Sequence, residues 1–459
     1  MAAEWTLAIA WELALFAGAI GFWFALDDLA VDALWLGGIG RRPKPLADFH
    51  KDSGPAPRLT YAVLIPAWQE AAVIGQMLST LRERWHGRDY RVYVGGYPND
   101  AATLVALARI AATADWLQLV VLDRSGPTTK GDCLNAIWRR LRADRQEGRF
   151  KPDAVIVHDA EDVVATHELA AHDAALVGAD YVQLPVLPLI DPAGRAWSSH
   201  YLDEFAEAHG KELPVREAIC AMMPTAGVGF AVRIAALDRL ADADGPFAGG
   251  SLTEDYELGI RLARNGARGR MMLATDPSGR LVATRAYFPN NFADSVRQKA
   301  RWLHGIALGG WDRLGWDVPP RADPLDALMV RWMLWRDRRT LLCAAAVLAG
   351  YLALGLTLVT AVLAPDAVQR VAEDYWVRML ATVMTLALLW RLVMRAILTA
   401  RFHGWQQGLL SVPRQFLSNM VMVACGWRAL LSYARSLNGE PAIWAKTAHR
   451  FPVRVDLST

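Results

Sequence analysis

The chain has 459 residues, too many for one ordinary domain and enough for a large catalytic domain with further elements. Hydrophobic residues make up 53% of it and tryptophan alone counts 19, which is apolar for a soluble enzyme, while a net charge of only +2 speaks against a general nucleic-acid binder. The four cysteines, Cys133, Cys220, Cys343 and Cys425, have no metal-ligand spacing and imply no disulfide framework; they read as reduced packing residues.

Residues 5–26 form an apolar run broken mainly by Glu12, and about 20 apolar residues span a bilayer. No basic residue precedes the run and no small-residue cleavage site ends it, so a retained transmembrane helix within residues 1–30 is expected rather than a signal peptide. Residues 31–58 then form a Pro-containing linker with Arg41, Arg42, Lys44, Lys51 and Arg58, and the positive-inside rule puts that side in the cytoplasm.

From residue 59 the pattern changes. Short apolar runs at 61–66, 91–95, 117–122 and 154–157 read as strands, with helical stretches at 71–85, 103–114, 131–144 and 167–177. Strand–helix alternation predicts a mostly parallel α/β sheet over residues 59–330, with ligands held in the loops after the strands. Residues 331–431 return to apolar runs. Spans are expected at 341–364, entered past Arg331, Arg336, Arg338 and Arg339, and at 376–400, leaving past Arg391, Arg395 and Arg401. Residues 365–375 become a periplasmic turn, and the tail 432–459 is cytoplasmic. Residues 408–431, with Pro413, Arg414 and Arg428, suit either an interfacial helix or a further span.

Chemistry is expected where carboxylates crowd. The fourth strand runs into His158-Asp159-Ala160-Glu161-Asp162, and like charges so close need a cation or open solvent. Asp159 and Glu161 would face one side of an extended segment and clamp Mg²⁺ or Mn²⁺, which prefer oxygen ligands; a solvated acidic loop is the plainer alternative. Ser251-Leu252-Thr253-Glu254-Asp255 follows Gly249 and Gly250. Its acids either cap a helix or supply a general base for a sugar hydroxyl. In Gln298-Lys299-Ala300-Arg301-Trp302 a helix would put Gln298 with Arg301 or Trp302 on one face. Arg suits a diphosphate and Trp a sugar ring, although an ordinary amphipathic surface helix fits as well.

Taken in order, these segments resemble glycosyltransferase family 2, the processive GT-A enzymes that include cellulose and hyaluronan synthases. Ile65-Pro66-Ala67-Trp68-Gln69-Glu70 resembles the first-strand I-P-x-x-N-E loop, and Lys130-Gly131-Asp132-Cys133-Leu134-Asn135 resembles K-A-x-x-L-N. Asp159-Ala160-Glu161 stands where D-x-D belongs, and Val182-Gln183-Leu184-Pro185 is similar to V-Q-x-P. Thr225-Ala226-Gly227-Val228-Gly229 occupies the place of a Gly-rich acceptor loop; Thr253-Glu254-Asp255 matches T-E-D, and Gln298 to Trp302 matches Q-x-x-R-W. The chain further resembles the NfrB-type inner-membrane glycosyltransferases associated with phage adsorption. The carrying residues are Val94-Gly95-Gly96-Tyr97-Pro98-Asn99-Asp100, His158 to Asp162, and the tail Trp444-Ala445-Lys446-Thr447-Ala448-His449-Arg450-Phe451-Pro452. Two departures stand out: Gly95-Gly96-Tyr97 replaces the acidic pair after the second strand, and Glu161 replaces the second Asp of D-x-D. Some members carry a cyclic-dinucleotide-binding domain after the tail, which this sequence, ending at Thr459, is expected to lack.

The resemblance implies an inverting, metal-dependent transfer from a UDP-sugar to a growing glycan at the bacterial inner membrane. It assigns Asp255 as base, and Glu70, Asp100, Lys130, Asp159 and Arg301 to the donor nucleotide. Glu254, Gln298 and Trp302 go to the acceptor, and Asp159 with Glu161 to Mg²⁺ or Mn²⁺. A lipid bilayer, and a second copy or an outer-membrane export partner, are the expected partners, with no nucleic acid. Two other readings stay open: single-sugar transfer to a lipid phosphate carrier, against which Q-x-x-R-W argues, and a non-catalytic membrane scaffold in phage adsorption.

Overall fold

The computed structural model describes residues 2–39, 43–50, 56–219, 221–439 and 449–452. Of the positions named above, Arg41, Arg42, Lys51, Cys220 and the tail residues 444–448 lie outside that set.

The first four strands are β1 (Tyr61–Pro66), β2 (Tyr90–Gly96), β3 (Leu117–Val121) and β4 (Ala154–Val157). Three more follow: β5 (Tyr181–Gln183), β6 (Phe230–Arg233) and β7 (Gly269–Met271). Together they make one seven-stranded sheet in the order β3-β2-β1-β4-β6-β5-β7. All neighbours are parallel except β6, which runs antiparallel to both β4 and β5. The unbroken apolar runs of β1 and β4 suit a sheet covered on both faces. Tyr61, Val63 and Ile65 pack into the core on one side with Trp85; Ala62 and Leu64 pack into the other with Trp138. Each such Val, Leu or Ile contributes about 1.5–3 kcal/mol by burial.

The helices between these strands are Ile74–Arg84, Ala101–Ala111, Lys130–Gln146 and Glu168–Leu176, within a few residues of expectation. The first begins late because residues after Glu70 close a turn, with Val73 N–H donating to Glu70 O at 3.0 Å. The chain winds from β1 outward to β3 and then returns to the other side of β1 with β4. The strand order therefore reverses between β1 and β4, and a crevice opens there at their carboxyl ends.

Among the described residues, three helices are long and apolar enough to cross a membrane: Glu4–Leu36, Thr340–Leu363 and Tyr375–His403. The first continues well past residue 30 because its last turns are held by charge. Asp32 meets Lys211 Nζ at 2.7 Å, and Asp28 meets Arg391 at 2.9 Å. Asp27 and Asp28 also pair with Arg336 and Arg339. Residues 365–375 are not a bare turn, since Pro365–Ala372 is a short helix. The ambiguous stretch 408–431 lies inside one continuous helix, Trp405–Leu437, that accommodates Pro413. Its Arg414 pairs with the fully buried Asp203 at 2.6 Å, which fastens it to the helix Arg195–Glu207.

Candidate active site

Four loops meet at the crevice, and Lys130 stands at their centre. It opens the helix Lys130–Gln146, whose start is fixed by a capping box between Thr129 and Asp132. Its buried Nζ lies 2.6 Å from Asp159 Oδ1 and 3.9 Å from Glu254 Oε1, and donates to Gly227 O at 3.0 Å. Burial disfavours the ammonium, but the charges of Asp159, Glu254 and Asp255 outweigh it and hold Lys130 protonated.

Gly227 has φ +82°, and a Cβ there would sit 2.8 Å from Asp255 Oδ2, so only glycine brings this loop against the acids. Gln183, at the end of β5, fixes the loop from behind. Its Nε2 donates to Val228 O at 2.9 Å and its Oε1 accepts from Ala226 N–H at 2.7 Å. Asn135 does the same for the approach to Thr253-Glu254-Asp255, exchanging bonds of 2.8 and 3.0 Å with the Phe247 backbone.

Glu254 and Asp255 open the helix Glu254–Arg264. Thr253 makes no side-chain cap there, and its N–H instead donates to Ser251 Oγ at 3.1 Å. Glu254 is buried, and burial together with the Asp255 charge raises its carboxyl to about 7 against the pull of Lys130. Asp255 is half-buried and also raised, by burial, with Lys130 and Arg301 opposing. Arg301 thus acts on both acids from the helix Phe292–Leu303. Trp302 is partly exposed, and its ring packs edge-on against Tyr201, Phe205 and Phe288. Gln298 is half-buried, and its Oε1 has no hydrogen-bond partner among the described residues.

The expectation that Asp159 and Glu161 share one face does not hold. β4 ends at Val157, and Asp162 N–H donates back to Asp159 O at 3.2 Å, so the segment is a turn and not extended. The two carboxylates have different partners: Asp159 pairs with Lys130, and Glu161 with His449, which also meets Glu70. His449 Nδ1 lies 2.9 Å from Glu70 Oε1 and 3.3 Å from Glu161 Oε1. Burial and the neighbouring Asp159, Glu70 and Asp162 charges raise Glu161 to about 8, with His449 opposing. Crowded charge of this kind is what a bound cation relieves, and these three side chains offer donor atoms within 4.8 Å of one another. They fit a divalent metal; Asp159 stands outside the set. Asp162 has a structural part. Its Oδ2 meets His158 Nδ1 at 2.9 Å and accepts from Asp159 N–H at 3.0 Å, while His158 Nε2 meets Glu168 at 2.7 Å. Burial pushes that imidazole down, but the two carboxylates prevail and raise it to about 10.

Asp100, expected at the nucleotide, accepts from the backbone N–H groups of Gln69 at 2.5 Å and Thr103 at 3.3 Å. It caps the helix Ala101–Ala111 and holds Gln69 at φ +57°, and so positions the turn that presents Glu70. The positions whose part the sequence left unassigned are Gln183, Asn135 and His449. All three stood in motifs quoted above; His449 meets Glu70 across 379 residues, a separation that no local pattern reveals.

The family model for Glycosyltransferase like family 2 matches residues 57–305, more than half the chain. Bacteriophage adsorption protein B of Escherichia coli K12 is 32% identical over 475 residues, covering 96% of this chain and 62% of that protein. Bacteriophage N4 adsorption protein B of Escherichia coli O157:H7 matches equally. The chain thus spans about three fifths of the length of these curated relatives. Among solved structures, the mannosyltransferase PcManGT from Pyrobaculum calidifontis, in complex with GDP-Man and Mn²⁺, superposes with a TM-score of 0.54 at 17% identity. The match covers 93% of this chain and 99% of that one, a likeness of GT-A fold.

Proposed function

We propose that this chain, which belongs to glycosyltransferase family 2, is a membrane-bound inverting enzyme that moves a sugar from a UDP-sugar to a hydroxyl of a growing glycan. The observation that carries the reading is the convergence on Lys130 of Asp159, Glu254 and Gly227, with Asp255 beside Gly227, at the crevice between β1 and β4. Asp255, half-buried, accepts the acceptor's proton as its oxygen attacks the anomeric carbon and the bond to the diphosphate breaks. Lys130 and Arg301 place positive charge where that leaving group gains negative charge. A bound Mg²⁺ or Mn²⁺ at Glu161 supplies further neutralisation of the diphosphate. Glu254 and Gln298 line the acceptor side, and Trp302 stiffens it through its aromatic neighbours.

The donor site faces the bacterial cytoplasm, where nucleotide sugars are made, and the apolar helices sit in the inner membrane. Arg331, Arg336 and Arg339 stand at the entry of one span and Arg391 and Arg395 near the exit of the next, as the positive-inside rule requires. The helices beside the acceptor end suit passage of a polysaccharide, and a second copy or an export partner completes the path. Membranes containing the protein, screened against a panel of UDP-sugars, should release UDP with one of them only in the presence of divalent metal. Chain length of the product separates polymer synthesis from single transfer to a lipid carrier. No UDP release from any donor, in protein that is folded and metal-loaded, supports the scaffold reading instead.

A further inference from the structure

We propose that Gly305 is a positioning residue for Asp255: it lets the segment after Q-x-x-R-W close against Thr253, and so sets where the T-E-D turn carries its base. For its effect on catalysis this rests on the transferase reading above, but the contact itself can be tested without it.

The helix Phe292–Leu303, which carries Gln298, Arg301 and Trp302, runs on into a π-helical segment, His304–Gly309. Such segments are rare and occur mostly as single turns, frequently at functional sites. This one faces the T-E-D turn. A Cβ on Gly305 would lie 2.5 Å from Thr253 Oγ1, 2.6 Å from Thr253 Cγ2 and 3.0 Å from Thr253 Cβ. Gly305 has a helical backbone, and Ala is the better helix former, so the approach of Thr253 and not its own conformation calls for glycine. Two of the three staggered positions on Thr253 are blocked in this way, and a β-branched side chain fills two of them in every rotamer, so turning the side chain cannot clear the clash. Thr253 Oγ1 is buried, has no hydrogen-bond partner among the described residues, and makes no cap for the helix Glu254–Arg264. The side chain therefore serves this turn by packing.

The turn cannot slide away from an added methyl, because it is held on both sides. Thr253 N–H donates to Ser251 Oγ at 3.1 Å, and Ser251 Oγ donates to the buried Glu257. Arg313 Nε donates to Glu257 Oε1 at 2.9 Å, and its Nη2 donates to Ser251 Oγ at 3.2 Å. Arg313 belongs to the helix Gly310–Leu314, directly after the π segment, so one stretch of chain bears on the turn at two points. On the far side Thr225 Oγ1 donates to Asp255 O at 2.8 Å, and Asp255 Oδ2 fills the space that a Cβ on Gly227 would need. Displacing Thr253 therefore displaces Asp255, two residues on, relative to Gly227.

The test uses the full chain in detergent, with the UDP-sugar that gives the fastest UDP release for turnover and UDP itself as the binding probe. Gly305→Ala should lower kcat by roughly 10–100-fold, the scale of a catalytic group misplaced by a fraction of its own size. The UDP Kd should stay near the native value, because Lys130 and Asp159 lie outside the contact. The melting temperature should fall, although helix propensity alone would raise it. Thr253→Ala removes both clashing atoms and should keep most of the turnover, since its hydroxyl has no hydrogen bond to lose. The double variant, Gly305→Ala with Thr253→Ala, should regain most of what Gly305→Ala loses, in kcat and in melting temperature alike. Native kcat in folded Gly305→Ala, a double variant no better than Gly305→Ala, or Thr253→Ala as slow as Gly305→Ala overturns the inference while leaving the transferase reading intact. Native protein that releases UDP from no donor refutes the transferase reading, and the melting temperatures then decide the Thr253–Gly305 contact by themselves: recovery in the double variant upholds it and no recovery overturns it.

Discussion

Lys130 Nζ lies 2.6 Å from Asp159 Oδ1, and that ion pair joins the start of the helix Lys130–Gln146 to the turn after β4. Glu254 and the Gly227 carbonyl complete its surroundings, so one ammonium balances the acids of two motifs about a hundred residues apart. Replacing it by Met removes the stronger of the two cations that act on the buried Glu254, leaving Arg301. A fully buried pair broken in this way costs about 3–5 kcal/mol; Asp159 keeps contact with water, so about 2 kcal/mol is expected for Lys130→Met. Thermal unfolding in detergent should show the loss, and calorimetry should show weaker UDP-sugar binding. Unchanged stability and donor affinity contradict the central place given to Lys130.

Asp162 is predicted to matter through the turn it holds. Its carboxylate receives both His158 and the Asp159 N–H, and Ala in its place leaves both without that acceptor. An unsatisfied buried group costs about 1–3 kcal/mol, so Asp162→Ala should lower the melting temperature. Metal affinity should fall only as far as Glu161 is displaced. Mn²⁺ binding lost in full, with stability unchanged, would make Asp162 a ligand.

The Glu254–Asp255 pair predicts a pH dependence. Both carboxyls are raised, Glu254 to about 7, by burial and, for Glu254, by the neighbouring Asp255 charge. A raised carboxyl binds its proton more tightly in the folded state. Its contribution to stability is therefore complete below the ordinary carboxylate range and is lost as pH rises through the raised value. Activity runs the other way, because the base must be ionised. The acid limb of kcat/KM should rise between pH of about 5 and 8, with an apparent value belonging to the pair. An acid limb at about pH 4, the ordinary carboxylate range, contradicts the coupling.

Much of this was legible in the sequence for a physical reason. β1 and β4 are continuous apolar runs bounded by polar turns, and helix-period patterns separate the parallel strands, so the sheet and its ligand-bearing edge follow from periodicity. Lys130, Asp159, Glu254 and Asp255 fell into local motifs that the structure brings together. What local pattern left open was direction and distance. Asp159 and Glu161 looked like one clamp because an extended segment puts alternate residues on one face, whereas the chain turns there. Asp100 is expected at the donor nucleotide from the resemblance; that its oxygens also hold the backbone around Gln69 is not written in any local pattern. His449 stands in the tail motif, but nothing local names its partners, which are brought near only by the complete fold.

The membrane topology gives a further prediction. The helices Thr340–Leu363 and Tyr375–His403 flank the short helix Pro365–Ala372, with arginines at the opposite ends. Alkaline phosphatase fused at residue 370 should be active, and fused at residue 200 inactive. The reverse pattern removes the access to cytoplasmic nucleotide sugars on which the proposal depends.

The most direct test of the account is Asp255→Asn, read as UDP release against UDP-sugar concentration, with donor binding followed separately by calorimetry. The change keeps size and polarity but removes the proton acceptor. Turnover should fall by about 10²–10⁴-fold, the contribution of a positioned general base. The donor Kd should change little, because Lys130, Arg301 and the Glu161 side of the site remain. Near-native turnover in folded Asp255→Asn contradicts the assignment of Asp255 as the base, and with it the claim that this crevice catalyses glycosyl transfer in the manner described.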